Sequence, residues 1–297
     1  MTLLEVSIVR RQLRKKILRW NEESFENLCP LSSAATVMTQ LHSSKPCLET
    51  PMTTKVAPVT SRVSPWLASL LYPLGCNFVI PFYFNRIEVT GQENLPTTGP
   101  VILAPTHRSR WDALLVPYAT GRGVTGRDLR FMVSANETTG VQGWFVRRMG
   151  GFPVDPERPA IGPLRHGVEL LQQGEMLVIF PEGNIFRDSF LHPLKPGLAR
   201  MALSAESSHP GLGVKIVPVA ISYSQPFPHW GCDVNIRIGS ALSVASYSTG
   251  ASVKQNAKHL TTALEKALKQ LSGQQVATAE GIGAKGESRP CQMISNS

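Results

Sequence analysis

No Gly-x-Ser-x-Gly elbow occurs in the 297 residues, so the chain offers no candidate for a serine nucleophile held on a sharp strand-to-helix turn. Cysteine is scarce: Cys29, Cys47, Cys76, Cys232 and Cys291 are odd in number, scattered, and never spaced Cys-x-x-Cys. That argues against a disulfide framework and a zinc site, and for a reducing compartment. No apolar h-region with a small-residue cleavage site opens the chain, so a secretory signal peptide is not expected. Internal repeats and recognisable nucleic-acid motifs are also missing. Residues 65–84 carry no charge of either sign.

Elsewhere charge is plentiful and lopsided. The net charge is +9, with a pI near 9.5, which calls for an anionic partner: a membrane surface, nucleic acid or a phosphorylated substrate. Part of the excess is local, because Arg10, Arg11, Arg14, Lys15, Lys16 and Arg19 crowd the first twenty residues. Nucleic acid fits the charge alone, since the aromatics cluster in the uncharged stretch. Hydrophobic residues make up 42% of the chain, ample for a core in one large domain or two small ones.

The organisation is read in four parts. Residues 1–63 form a basic amphipathic leader followed by a Ser/Thr/Pro-rich linker, expected to be flexible. The leader also reads as a transit-like extension, and Met52 as an alternative start. Residues 64–84 are long enough to span a bilayer, but Pro73, Gly75, Asn77 and Pro81 are expected to break them into two short pieces. A monotopic helix pair docked at the interface is favoured over a true span, with a buried core hairpin as the alternative. Residues 85–272 form the main domain, and 273–297, rich in Gly, Ala and Ser, are expected to be disordered.

From Ile87 the pattern is α/β. Apolar, β-type runs recur at 87–90, 100–104, 129–134, 176–180, 214–222 and 234–238. Helical patterns fall at 111–118, 163–173, 196–206 and 252–271, the last with Leu260, Leu264, Leu268 and Leu271 on one stripe.

His107 and Asp112 stand five positions apart, directly after the apolar run at 100–104. A regular helix would point them about 140° apart, and a regular strand would separate them by roughly 16 Å. They meet only if the chain turns between them, as a strand, a tight loop and a first helical turn would allow. At the carboxyl end of a strand in an open α/β sheet, such a loop is where ligands bind. A neutral imidazole oriented by a carboxylate is a general base suited to neutral pH. With no protein nucleophile marked, a substrate hydroxyl can attack instead, which points to group transfer to an alcohol. A second reading stays open: Ser109-x-x-Asp112 has capping-box spacing, with His107 a satisfied loop histidine.

Three further runs accompany this pair. Met176 to Phe180 is a buried-type strand that ends in Pro181-Glu182-Gly183, so Glu182 is expected to face a ligand. Arg187 and Lys195 follow as candidate phosphate ligands. Gly151-Phe152-Pro153-Val154-Asp155 is strand-like and closed by Arg158. Val217-Pro218-Val219 is a strand containing proline, expected at an edge, a bulge or a special loop.

In this order, His107–Asp112, Gly151–Asp155, Phe180–Gly183 and Val217–Val219 resemble the four motifs of the glycerolipid acyltransferases, and within them the 1-acyl-sn-glycerol-3-phosphate (lysophosphatidic acid) acyltransferases. The resemblance covers roughly residues 85–270. It implies a mixed β-sheet flanked by helices and preceded by an interfacial helical segment. The implied reaction moves a fatty acyl group from an acyl thioester donor (acyl-CoA or acyl-carrier protein) to the hydroxyl of lysophosphatidic acid. Glycerol 3-phosphate or another lysophospholipid acceptor is the alternative, and a non-catalytic basic membrane-binding protein the rival of another class. No further cofactor, metal or nucleic acid is implied. Carried over, His107 is the general base and Asp112 its partner, Glu182 and Gly183 shape the acceptor pocket, and Arg158, Arg187 and Lys195 are the cations for the acceptor phosphate. Two departures stand out: Pro156 follows Val-Asp where the family often has arginine, and Asn184-Ile185 follows Phe-Pro-Glu-Gly in place of Thr-Arg. Association with the cytoplasmic face of a membrane, monotopic or peripheral, completes the expectation.

Overall fold

The computed structural model describes residues 61–155, 160–248 and 252–273. The basic leader and linker up to residue 60, Met52, Arg158 and the tail from residue 274 lie outside the described residues. In chain order the elements are α1 (Pro65–Leu74), α2 (Ile80–Tyr83), β1 (Ile87–Thr90), β2 (Val101–Pro105), α3 (Asp112–Thr120), α4 (Arg122–Thr125), β3 (Leu129–Ser134), α5 (Gly140–Arg148), β4 (Gly151–Val154), α6 (Ile161–Gln172), β5 (Met176–Val178), α7 (Gly197–Ser208), β6 (Lys215–Tyr223), β7 (Val234–Ile238), β8 (Leu242–Ser243) and α8 (Val253–Leu271).

The strands form one mixed sheet in the order β1-β7-β6-β2-β5-β3-β4, with β8 also on β6. β6, β2, β5, β3 and β4 run parallel to their neighbours in that series, while β7 and β8 are antiparallel to β6. β2 is buried along its whole length, as a strand covered on both faces must be. Its side chains alternate between two cores. Ile102 and Ala104 join Leu170, Leu203, Leu260 and Leu264 beneath α6, α7 and α8. Val101 and Leu103 join Leu115, Val116 and Ala119 of α3, together with Ile80 and Phe84, on the other face. The leucine stripe of α8 therefore points inward, as its spacing predicts.

Two sequence expectations need correction. The first concerns Pro218, which does not lie on an edge. β6 is an interior strand, and Pro218 pairs with Ala104 of β2. Successive strand residues present their polar groups to opposite sides. Val219 O accepts from Thr106 N on the β2 side, and Pro218 O accepts from Gly239 N on the other. The missing N–H of Pro218 therefore faces the place where the partner of β6 changes from β8 (ending its register at Ile216) to β7 (beginning at Val219). A proline there removes no ladder bond.

The second concerns residues 65–83, which do not break into a pair. α1 runs through a π-helical turn, Gly75–Val79, straight into α2. A π turn is one way a helix absorbs the missing donor and the ring of an internal proline, here Pro81. Nor is the segment a buried hairpin: Leu67, Ala68 and Ile80 face the protein, whereas Trp66, Leu70 and Phe78 are 64%, 60% and 67% exposed. By length and composition the run Pro65–Tyr83 could cross a membrane.

Candidate active site

The carboxyl ends of three adjacent parallel strands, β6, β2 and β5, converge on one place. Each delivers one key residue: Tyr223 from the end of β6, His107 from the loop after β2, and Glu182 from the turn after β5. Thr106 pins the β2 end to β6, its hydroxyl accepting from Ile221 N and donating to Ile221 O.

Beyond Pro105 the chain turns sharply and α3 begins at Asp112, so the two residues meet. His107 Nδ1 lies 2.9 Å from Asp112 Oδ2. The same oxygen accepts from Arg108 N at 2.6 Å and Ser109 N at 2.8 Å, and Oδ1 accepts from the Tyr223 hydroxyl at 2.6 Å. An ionised carboxylate only accepts, so Nδ1 carries the ring proton and Nε2 is left as the basic nitrogen. The capping reading is half realised. Asp112 does receive the Ser109 amide, but the Ser109 hydroxyl accepts from Trp111 N rather than from the amide three residues on. One carboxylate thus closes the loop and orients the imidazole together.

Asp112 is wholly buried. Four donors converge on it, which is how an anion is held away from water without an arginine partner. Tyr223 is the donor from outside the loop. Burial first, then the neighbouring Asp112 charge, pushes its hydroxyl far up from the ordinary phenol value, so it stays protonated and donating. The His107 ring stacks on Phe180, with centroids 3.9 Å apart and planes inclined by 22°, which fixes the second face of the imidazole.

Glu182 departs from its expected role. Its carboxylate is buried, and Arg108 Nη1 donates to both oxygens at 3.0 Å. His107 N donates to Oε1 at 3.1 Å and His192 N to Oε2 at 3.0 Å. With its acceptor capacity met inside the protein, Glu182 is a brace between the His107 loop and the segment 186–192 rather than a ligand-facing wall. Arg108 completes the brace by donating to Phe190 O at 3.0 Å, and Phe186 N donates to His107 O at 2.9 Å. Gly183 sits at φ +72°, and a Cβ there would come within 2.6–2.8 Å of the Lys195 side chain, so glycine lets Lys195 lie against the turn.

The expected cations divide. Arg187 is exposed, with its guanidinium 4.6 Å from the Phe227 ring centroid. With Arg108, Tyr223, Ser224 and Arg237 it lines an open cleft of about 510 Å³. Lys195 lies against Gly183 and is not among those lining residues. Arg158 falls outside the described residues. Among the described residues no cluster of His, Cys, Asp and Glu could hold a metal ion.

Sequence reading missed Tyr223 and Arg108. Arg108 was legible in principle, lying inside the first motif. Tyr223 carried a fainter signal, as a polar aromatic at the carboxyl end of an otherwise apolar strand.

The family model described as Acyltransferase matches residues 86–222. The 1-acyl-sn-glycerol-3-phosphate acyltransferase of Streptococcus pneumoniae (strain ATCC BAA-255 / R6) is 30% identical over 148 residues, covering 48% of this chain and 47% of that protein. The protein of the same name from Bacillus subtilis (strain 168) is 30% identical over 119 residues, covering 39% and 56%. The mitochondrial glycerol-3-phosphate acyltransferase 1 of Homo sapiens is 26% identical over 193 residues, covering 59% and 22%. The chain thus spans about half the length of the two bacterial relatives it matches. The crystal structure of the 1-acyl-sn-glycerophosphate (LPA) acyltransferase PlsC from Thermotoga maritima is similar in fold, with a TM-score of 0.50 at 19% identity, covering 69% of this chain and 80% of that one.

Proposed function

We propose that this chain, whose residues 86–222 match the Acyltransferase family model, transfers a fatty acyl group from an acyl thioester to the free hydroxyl of lysophosphatidic acid, giving phosphatidic acid. The observation that carries the reading is the His107–Asp112 pair, 2.9 Å apart at the carboxyl end of a central strand. His107 Nε2 takes the proton of the acceptor hydroxyl as its oxygen attacks the thioester carbonyl. The imidazolium is stabilised by Asp112, itself held by Tyr223 and two loop amides. Collapse of the tetrahedral intermediate breaks the C–S bond, and the imidazolium returns the proton to the departing thiolate. No protein nucleophile is used. Acyl-CoA or acyl-carrier protein is the donor. Arg187 is the cation proposed for the acceptor phosphate, on the ground that it lines the cleft beside Tyr223. The uncharged helical run 65–83 docks the enzyme on the cytoplasmic face of a membrane, where the lysophospholipid acceptor resides.

Glycerol 3-phosphate is the second acceptor to test, because the alignment with the human glycerol-3-phosphate acyltransferase extends over 193 residues. Purified protein offered labelled acyl donors with a panel of lyso-acceptors and glycerol 3-phosphate, products read by mass, distinguishes the two. His107→Ala should lower turnover by about a hundredfold to ten-thousandfold, the span of a general base. Turnover near wild type in that variant overturns the mechanism.

A further inference from the structure

We propose that helix α5 is a second membrane-contacting face, which meets an anionic bilayer beside α1. This rests on the membrane association proposed above but on different residues. Val141, Trp144, Phe145 and Arg148 recur at the i, i+3, i+4, i+7 spacing that lays one stripe along a helix. In a surface helix of a soluble domain that stripe faces the core. Here it faces outward: Val141 is 77% exposed, and Trp144 and Phe145 are each 41% exposed.

The inward position is Gly143, about 160° from Val141 and Phe145, about 140° from Arg148 and about 100° from Trp144. Gly143 is buried, and a Cβ on it would come 2.0 Å from Thr138 O. The helix is therefore seated through its glycine side with the apolar stripe turned away from the protein. Its orientation is not a slip that a small rotation would mend.

The chemistry of the stripe selects a lipid surface. Arg148 lies over the Trp144 ring, 4.1 Å from its centroid, while Arg147 turns toward the protein and donates to Thr138 O at 3.0 Å. Neither helix α5 nor the apolar run 65–83 contains an acid. A tryptophan capped by an arginine, with aliphatic and aromatic groups on one side, is the composition of the bilayer interface, and the Arg148 cation favours anionic headgroups.

Position agrees with composition. Ser64 N donates to Arg148 O at 2.8 Å, Gly150 N donates to Arg62 O at 3.2 Å, and Val63 bridges Met149. The end of α5 is thus hydrogen-bonded to the residues that lead directly into α1. The exposed Trp66 lies two residues beyond Ser64, with exposed Leu70 one turn further.

The test is partition of the full-length protein into phosphatidylcholine vesicles with and without phosphatidylglycerol. Val141→Glu with Phe145→Glu, both at outward positions, should lower partition by about tenfold or more. Its melting temperature should stay at the wild-type value. Arg148→Gln should lose about fivefold, and only when phosphatidylglycerol is present. Trp66→Glu with Leu70→Glu is the separate arm for α1. Loss in that arm with unchanged partition of both α5 variants overturns the α5 proposal and leaves the docking of α1 standing. A wild-type protein that ignores both vesicle types overturns the two together. Altered sedimentation of the lipid-free double variant with vesicle binding intact assigns the face to a second copy of the chain, and also overturns the proposal.

Discussion

Glu182→Ala separates a brace from a pocket wall. In the native protein the carboxylate has 0% side-chain exposure and Arg108 only 8%, so the substitution strands a guanidinium in a nearly dry site. Breaking a buried pair by removing one partner costs about 3–5 kcal/mol, far more than an exposed pair is worth. The amides of His107 and His192 also lose their acceptor, which keeps the loss at the upper part of that range. For a domain of this size about 1 kcal/mol moves the melting temperature by about 2–4 °C, so a fall of roughly 8–20 °C is expected. Glu182→Leu combined with Arg108→Met removes both charges and should recover part of the loss, because the uncompensated guanidinium goes with them. The assay is thermal melting of Glu182→Leu, Arg108→Met and the double variant as a cycle, beside melting and acceptor saturation kinetics of Glu182→Ala. If Glu182→Ala melts within about 1 kcal/mol of wild type while its acceptor KM rises sharply, the carboxylate belongs to the pocket and the brace is wrong.

Tyr223→Phe leaves Asp112 Oδ1 buried without its donor, so a stability loss of about 1.5–3 kcal/mol is expected, with turnover reduced and acceptor KM unmoved; an unchanged melting curve would refute the hydroxyl's part in holding the dyad. His166 supplies the pH dependence. Burial holds its imidazole below the ordinary value against an opposing pull from Glu169. The unfolded chain therefore takes the proton first, and the stability His166 contributes is present above about pH 6.5 and lost as pH falls through its lower folded value. The melting temperature of His166→Gln should fall less than that of wild type between about pH 7 and 5, and parallel curves would count against the desolvated histidine.

What was legible in the chain follows from distance along it. The β-type runs at 87–90, 129–134 and 234–238 coincide with β1, β3 and β7, because a two-residue period or an unbroken apolar run is a local signal. The His107–Asp112 meeting was legible for the same reason: the five-residue spacing is too short for a regular element to satisfy and therefore demands a turn. The partners that finish the site were not legible. Arg108 reaches Glu182 across 74 residues and Tyr223 reaches Asp112 across 111, separations that only the strand order brings together. A carboxylate at a strand's carboxyl end looks alike from sequence whether it faces a ligand or, as Glu182 does, a buried arginine. The outcome depends on Arg108, to which sequence reading gave no role.

Helix α5 was missed for a different reason. Reading by amphipathicity assumes that the apolar stripe is the buried one, and Gly140 and Gly143 lower the helical signal further. In α8 that assumption holds, with Leu260, Leu264 and Leu268 all buried. In α5 the buried position is Gly143 and the stripe is exposed. Both helices obey the same periodicity, so periodicity alone cannot say which side faces the protein. Sheet and dyad therefore follow from a rule that puts apolar groups inside. The outward faces of α1 and α5 follow from its breach, and a breach at two segments joined by backbone hydrogen bonds is the mark of an interaction surface.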